Sequence, residues 1–181
     1  MDAPAIIDTL NALVADSVYE PGTSQDCATI YVPADRLVAT CTALRDAEAL
    51  RFSVLVEVTA ADYLPRDPRF EVVYHLLSIA HRRRLRLKVR ATASGGIPTV
   101  QGVWPAAGWL EREVWDMFGV VFDGHPDLRR LLMPEDWEGH PQRKDYPVQI
   151  RKAVQTYEPL EITQEEFQAN LERDRTRRTT H

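Results

Sequence analysis

Two histidines, each set between a glycine and a proline, are the residues of this chain whose surroundings most suggest chemistry. The phrase Asp123-Gly124-His125-Pro126 returns fifteen residues later as Glu138-Gly139-His140-Pro141. An imidazole near a carboxylate can bind a metal ion or act as an acid or base. A structural role is the stronger interpretation, because glycine permits a sharp turn and a residue before proline is held extended. Each phrase then predicts a corner of an irregular segment, with an imidazole pointing away from it.

Metal ligation by these histidines is the weaker hypothesis. A zinc site usually has three or four ligands, at least two of them close in sequence. Beside His125 and His140 the near candidates are Asp123 and Glu138, each separated from its histidine by one glycine. These four side chains would be needed for a stand-alone metal-dependent hydrolase, which we keep as an alternative function.

The stretch from Trp109 to Phe118, part of a helix predicted over residues 105–119, places a carboxylate, Glu111, within its apolar face. The apolar face is formed by Leu110, Val114, Trp115, Met117 and Phe118. Arg112, Glu113 and Asp116 fall on the opposite side, where Arg112 and Asp116 are spaced to form an i,i+4 pair. A buried carboxylate needs a cation or hydrogen-bond donors, or its pKa rises. Glu111 is therefore a general acid or base, half of a buried salt bridge with an arginine, or a contact to a partner chain.

Six basic residues lie within the nine positions from Arg82 to Arg90. From Arg84 onward they alternate with apolar residues, so they share one face of a predicted strand. This face is either solvated or a docking surface for an acidic protein or for phosphate. RNA-binding sheets carry exposed aromatic side chains, and this stretch has none. Nucleic acid is therefore not expected as a partner, in keeping with a net charge of −5.

The elements that position these residues predict the α+β fold class, with a small antiparallel or mixed sheet and flanking helices. Helical patterns cover residues 5–15, 33–44 and 105–119, and strand patterns cover 27–32, 52–58, 70–79 and 85–90, with a short strand over 99–103. The long strands follow one another through short turns, which favours antiparallel pairing.

A long irregular C-terminal arm follows this unit, and its composition predicts a partner surface. The stretch from Phe122 to Leu160 holds five prolines and no sustained period, yet it is too rich in large apolar residues for a solvated linker. We predict a compact domain over 1–120, an extended partner-wrapping arm over 121–160, and a short helix with a frayed tail over 161–181. Thr163 and Glu166 are spaced as a capping box for that last helix.

The residues from Glu111 onward resemble the signature of a known family, the 30 kDa subunit of proton-pumping NADH:quinone oxidoreductase, or respiratory complex I. In bacteria this protein is known as the C subunit. The signature fixes ten positions over 22 residues, which are Glu111, Arg112, Glu113, Asp116, Met117, Phe118, His125, Arg129, Leu131 and Leu132. The continuation through Trp137, His140, Arg143 and Lys144 is also similar to the family, although Gln142 and Tyr146 depart from its pattern.

This resemblance implies a non-redox scaffold subunit of the quinone-reducing module, on the cytoplasmic side of a bacterial cell membrane. It implies that FMN, iron–sulfur clusters and quinone are bound by other subunits, with electrons passing from NADH to the quinone. The implied partners are the 49 kDa-type chain and the cluster-bearing subunits, with membrane contact only through the complex. The two cysteines, Cys27 and Cys41, agree with this because their spacing suits neither zinc nor an iron–sulfur cluster. An equivalent subunit of a ferredoxin- or hydrogenase-linked complex is the alternative.

Overall fold

The computed structural model describes residues 2–24, 26–147 and 163–170. The chain divides into two units, and the first extends to Pro147. The domain boundary predicted at residue 120 therefore falls inside a compact unit, because residues 121–147 fold onto it. The rest of the predicted arm, and the tail beyond residue 170, lie outside the described residues.

A mixed five-stranded sheet forms the centre of the first unit, as the α+β prediction required. Its strands, in the spatial order β1-β2-β5-β4-β3, are β1 (Glu20–Pro21), β2 (Ala28–Tyr31), β5 (Arg83–Ala91), β4 (Phe70–Ser78) and β3 (Val54–Asp62). The pair β2–β5 is parallel and the other pairs are antiparallel. A second, two-stranded parallel sheet joins β6 (Ile97–Pro98) to β7 (Phe122–Asp123).

Three α-helices complete the unit: α1 (Ala3–Leu13), α2 (Leu37–Asp46) and α3 (Ala107–Phe118). A 3₁₀ turn over Ala34–Arg36 leads into α2. The Asp2 carboxylate caps α1 by accepting the Ala5 N–H, and Leu10 of α1 is fully buried. Among the described residues, no helix has the length and apolar character needed to cross a bilayer.

The core lies on the face of the sheet that carries the apolar residues of β5. Leu85, Leu87 and Val89 are buried there, and Arg84 and Arg90 on the alternating face are exposed. In β3 a bulge between Leu55 and Glu57 shifts the register. The bulge turns Leu55 inward and leaves Val56 56% exposed, so the alternation in the sequence misassigns the start of this strand.

The strand predicted over 99–103 is wrong. Residues 101–103 form a turn, and the pairing involves Ile97 and Pro98 instead. Such a two-residue strand has no periodic pattern of its own, and only its partner β7, which arrives after α3, defines it.

A buried ion-pair network ties the end of the first unit to the sheet. The Arg69 guanidinium bonds Asp62 at 2.6 Å and Asp145 at 2.8 Å, and the Lys144 N–H donates to Asp62 at 2.8 Å. The Arg69 hydrogen bond is the main cause that holds the pKa of Asp62 well below its usual range. The five-stranded sheet therefore fixes the end of the arm's described part, whereas its start is held by the pairing of β7 with β6.

In the second unit, the structure describes residues 163–170. The capping box is confirmed, since the Glu166 N–H donates to the Thr163 hydroxyl at 3.3 Å and the Thr163 N–H donates back to the Glu166 carboxylate at 3.2 Å. Residues 164–170 are helical.

Candidate functional site

The signature residues collect around α3, whose limits follow from its flanking sequence. The helix begins two residues after Pro105 and ends at Gly119, which adopts the left-handed conformation with φ 75°. Glu111, Arg112 and Asp116 are all buried. For Arg112 and Asp116 this corrects the expected exposed face, because residues 122–147 pass back over that side of the helix.

The carboxylate of Asp116 is the main anchor of this returning segment. Its Oδ2 accepts the backbone N–H groups of Leu131, Leu132 and Met133 at 3.0, 2.7 and 2.9 Å. Its Oδ1 accepts from the Arg130 guanidinium at 2.8 Å. Burial alone would raise the pKa of Asp116, but these donors outweigh burial and hold the pKa below its usual value. Asp116 therefore acts as a buried anion that organises a loop.

The predicted pair between Arg112 and Asp116 is wrong. Arg112 reaches the arm instead, donating to the carbonyl oxygens of Arg129 and Arg130 at 3.2 and 3.0 Å. It also lies 3.5 Å from the Asp127 carboxylate. Its pairing is long-range because the arm supplies acceptors on the side of α3 that faces Arg112.

The two histidines bind backbone carbonyl groups near opposite ends of α3. His125 Nε2 lies 2.9 Å from the Gly108 carbonyl oxygen, and its Nδ1 accepts the Asp127 N–H at 3.1 Å. His140 Nδ1 lies 3.0 Å from the Asp116 carbonyl oxygen. Because a carbonyl only accepts, the imidazole nitrogen that faces each carbonyl carries a proton. The phrases are corners of the irregular segment, and Gly124 and Gly139 both have φ 78°.

This geometry rules out a metal site shared by the two histidines. Their carbonyl partners are eight residues apart on α3, which corresponds to about 12 Å along a helix. Within the part of the chain that the structure describes, no group of three or more histidine, cysteine or acidic side chains could hold a metal ion. His125 and His140 therefore do not meet in the described structure as the metal-hydrolase hypothesis requires.

Glu111 is fully buried and its partners are neutral. It accepts hydrogen bonds from the Thr99 hydroxyl and, at 2.9 Å, from the Val100 N–H. Burial raises the pKa of Glu111, although both hydrogen bonds oppose this shift. Of the three alternatives for Glu111, the salt bridge to an arginine is therefore wrong, since its hydrogen-bond donors among the described residues are neutral. Glu111 instead joins α3 to the segment that follows β6.

The remaining signature residues divide between the core and the surface. Met117 and Phe118 are buried in the core, Leu131 is half-buried, and Glu113, Arg129 and Leu132 are exposed. In the continuation, Trp137 stacks on Tyr146 with ring centroids 6.4 Å apart, and Arg143 lies 3.3 Å from Asp145.

Sequence reasoning missed three residues that hold the site together: Thr99, Arg130 and Arg69. The Arg130 guanidinium donates hydrogen bonds to three groups: the Asp116 carboxylate, and the carbonyl oxygens of Trp137 and Gly139 at 2.7 and 2.9 Å. Its position inside the signature was the signal available, since it stands directly after Arg129 and before Leu131.

Comparison with known proteins assigns this helix and its returning segment to a family. The family model described as respiratory-chain NADH dehydrogenase, 30 kDa subunit, matches residues 30–152. The chain belongs to this family, as its signature predicted. The matched range contains α3 and the whole described part of the arm. Family membership implies that other subunits of a respiratory complex are its partners.

Individual relatives agree with this assignment. The C subunit of NADH-quinone oxidoreductase from Roseiflexus castenholzii is 43% identical over 158 residues, which cover 87% of this chain and 91% of the relative. The protein of the same name from Geotalea uraniireducens is 48% identical over 136 residues, covering 75% and 82% of the two chains. A chain of the membrane-bound sulfane sulfur reductase, an archaeal respiratory membrane complex, has a similar structure. Its TM-score is 0.66 at 26% identity, over 80% of this chain and 85% of that chain.

Replacing Asp116 tests the anchor. We expect Asp116→Asn to lower the free energy of unfolding by about 3–5 kcal/mol, because it leaves the Arg130 guanidinium, on a side chain only 14% exposed, without its anion. The backbone amides of residues 131–133 should also exchange with solvent faster. Urea unfolding and hydrogen-exchange mass spectrometry measure these effects.

The control is Asp127→Asn. Its carboxylate is 54% exposed and lies near Arg129 and Arg112, and Arg112 keeps two carbonyl acceptors without it, so the loss should stay below about 1 kcal/mol. Since the pKa of Asp116 is lowered on folding, its contribution is complete above the ordinary value of about 3.9 and is lost as the pH falls further. The difference in the free energy of unfolding between wild type and Asp116→Asn should therefore become smaller only below about pH 4. Unchanged exchange at residues 131–133 would contradict the anchoring role.

Alanine substitutions at Gly119 and Gly124, which both have left-handed backbone conformations, distinguish the cost of backbone strain from the cost of displacing His140. A Cβ at Gly119 would lie 2.5 Å from His140 Cδ2, whereas at Gly124 the nearest atom would be Thr99 Cγ2 at 3.6 Å. Gly124→Ala should cost only the strain of the left-handed backbone, about 1–2 kcal/mol. Gly119→Ala should cost more, because His140 must also leave its place. If urea unfolding shows the same decrease in the free energy of unfolding for both variants, the packing of His140 against Gly119 does not contribute to stability.

Proposed function

We propose that this chain is a non-redox scaffold subunit of the quinone-reducing module of a proton-translocating NADH:quinone oxidoreductase. Family membership supports the complex, and the geometry around α3 supports the scaffold role. The side chains with acid–base potential, Glu111, Asp116, His125 and His140, each bind groups of the chain itself. Their hydrogen bonds are used to hold the arm in place.

Exposed apolar residues beside the arm supply a surface for neighbouring subunits. Trp109 is 61% exposed on α3, and Val121 and Leu132 are 45% and 56% exposed on the returning segment. Tryptophan is enriched at interface hot spots. The partners that we propose are the 49 kDa-type chain and the cluster-bearing subunits.

The redox centres of this complex belong, in this proposal, to the other subunits. FMN and the iron–sulfur clusters carry electrons from NADH, and the quinone receives them outside this chain. The chain lies on the cytoplasmic side of the membrane and contacts it only through the complex. Its two cysteines support this assignment, since Cys41 is buried and its thiol has a strongly raised pKa, mainly because of burial.

Purification through a tag on this chain, from its own host in mild detergent, tests the proposal. We expect many subunits, a visible spectrum with flavin and iron–sulfur absorbance, and NADH:quinone activity. Recombinant chain alone should be colourless and inactive with NADH and quinone. A single colourless chain released from the host without detergent would contradict the complex. Activity of the isolated chain would contradict the scaffold role.

An equivalent subunit of a related respiratory complex is the second candidate. The structural similarity to a chain of the archaeal sulfane sulfur reductase complex supports it. The same purification discriminates, because the electron-input subunits that accompany the chain differ between the two. Reduction of the clusters by ferredoxin but not by NADH would favour the second candidate.

We expect Glu111→Ala to lower the amount of assembled complex more than the turnover of each assembled complex. The substitution removes the acceptor of the buried Val100 N–H, at a cost of about 1–3 kcal/mol. Glu111→Gln should be milder, because its amide oxygen still accepts one hydrogen bond. The measurement compares the yield of purified complex with its NADH:quinone rate.

The control is Asp8→Ala on α1, outside the signature, where the side chain is exposed. It should leave the yield unchanged. Normal yield with collapsed turnover in Glu111→Ala would indicate a catalytic role for Glu111 instead.

A further inference from the structure

One end of the five-stranded sheet carries arginines that have no partner among the described residues. This arginine tip is formed by the loop before β3, the turn between β4 and β5 and the first two residues of β5, and is defined as Arg51, Arg82, Arg83 and Arg84. Arg51, Arg82 and Arg84 are exposed and Arg83 is half-buried. Of all ion pairs and hydrogen bonds within residues 2–24, 26–147 and 163–170, none uses a guanidinium of this tip.

The rest of the same strand shows the opposite behaviour. Every later basic residue of β5 bonds a carboxylate of this chain: Arg86 with Asp26 at 2.7 Å, Lys88 with Glu71 at 2.9 Å and Arg90 with Glu20 at 2.9 Å. The basic face predicted from the sequence therefore has two parts. One part is neutralised within the chain, and the arginine tip is not.

Two arginines of the tip also adopt a backbone conformation that disfavours them. Arg51 has φ 45° and Arg82 has φ 51°, and the only other described non-glycine residue with positive φ is Asp16. Glycine and asparagine accept this conformation at lower cost than a long side chain. Arginine at these two positions therefore costs the folded chain more than glycine or asparagine would.

The two loops are held together as one surface. His81 Nε2 lies 2.9 Å from the Glu48 carbonyl oxygen, which joins the β4–β5 turn to the loop before β3. Ile79, in the same turn, is 65% exposed. The tip thus combines four arginines and one exposed apolar side chain, and Glu48 is the only acidic residue within the two loops, 47–53 and 79–84.

We infer that the arginine tip docks a carboxylate-rich segment of a neighbouring subunit, an interaction surface that rests on the proposed function. Charge complementarity carries the inference, because unpaired guanidinium groups favour bidentate contact with carboxylates. Ile79 would cover apolar surface of the same segment. Single-stranded nucleic acid would need exposed aromatic rings for stacking, and the one aromatic residue of the two loops, Phe52, is buried.

Zero-length cross-linking in the purified complex tests this directly. Arg82→Lys and Arg84→Lys keep the positive charge and add a primary amine. A carbodiimide joins such an amine to a carboxylate in contact as an amide, with the loss of one water. We expect products, mapped by mass spectrometry, that join the substituted positions to Asp or Glu of another subunit. The matched control, Arg90→Lys, should link within the chain to Glu20, its partner at 2.9 Å.

Substitutions that remove the charge test how much the arginine tip contributes to subunit binding, without disturbing the fold. The double variant Arg51→Asn/Arg82→Asn removes two charges and relieves both left-handed positions. Its isolated chain should be at least as stable as wild type. Retention of the other subunits on the tagged chain in about 0.3 M salt should fall roughly fivefold or more. Asp16→Asn, at the remaining left-handed position, is the control and should retain them fully.

The outcomes separate the inference from the proposed function. If wild-type chain retrieves no other subunit, the proposed function fails and the inference fails with it. If wild type retrieves the complex but the double variant does too at every salt concentration, with no inter-subunit cross-link, the docking surface is wrong. Binding of the chain to vesicles containing phosphatidylglycerol, lost in the double variant and without a protein cross-link, would assign the tip to lipid and overturn the inference.

Discussion

The path of the chain after α3 depends on one buried carboxylate. Beyond Gly119, apart from the short strand β7, no regular secondary structure satisfies the backbone N–H groups of the described segment up to Pro147, which must find acceptors elsewhere. Asp116 accepts three of them and also binds Arg130. An anion is suited to this task because charge-assisted hydrogen bonds are stronger than neutral ones. These hydrogen bonds attach the irregular segment to α3, so that it remains part of the compact unit.

The same helix explains the structural role of the repeated glycine–histidine–proline phrase. Each phrase turns the chain so that an imidazole returns to a carbonyl of α3, at Gly108 for His125 and at Asp116 for His140. The residues that attracted a catalytic interpretation are therefore structural connectors. Together the two phrases attach the irregular segment to α3 near both ends of the helix.

Local patterns predicted the elements well, and long-range contacts account for the differences. The α+β class, the limits of α3 and the capping box follow from periodicity and from residues adjacent in the chain. Arg112 and Asp116 were placed on a solvated face because helical periodicity describes one element at a time, and the covering segment has no period of its own. One of the two partners of Glu111 is the backbone N–H of Val100, a group that every residue but proline has and that no sequence pattern marks.

The distribution of charge extends this reasoning to the outside of the molecule. The chain has 27 acidic and 22 basic residues, so the arginine tip is not unpaired for lack of carboxylates. Carboxylates from β1, from β4 and from the loop before β2 reach the later part of β5, and none reaches its beginning in the described structure. A buried ionic group such as Asp116 is paired within the chain, because leaving it unpaired costs several kcal/mol, on the order of 3–5. Exposed arginines carry no such penalty, so at the surface an unmatched charge can be retained for a partner.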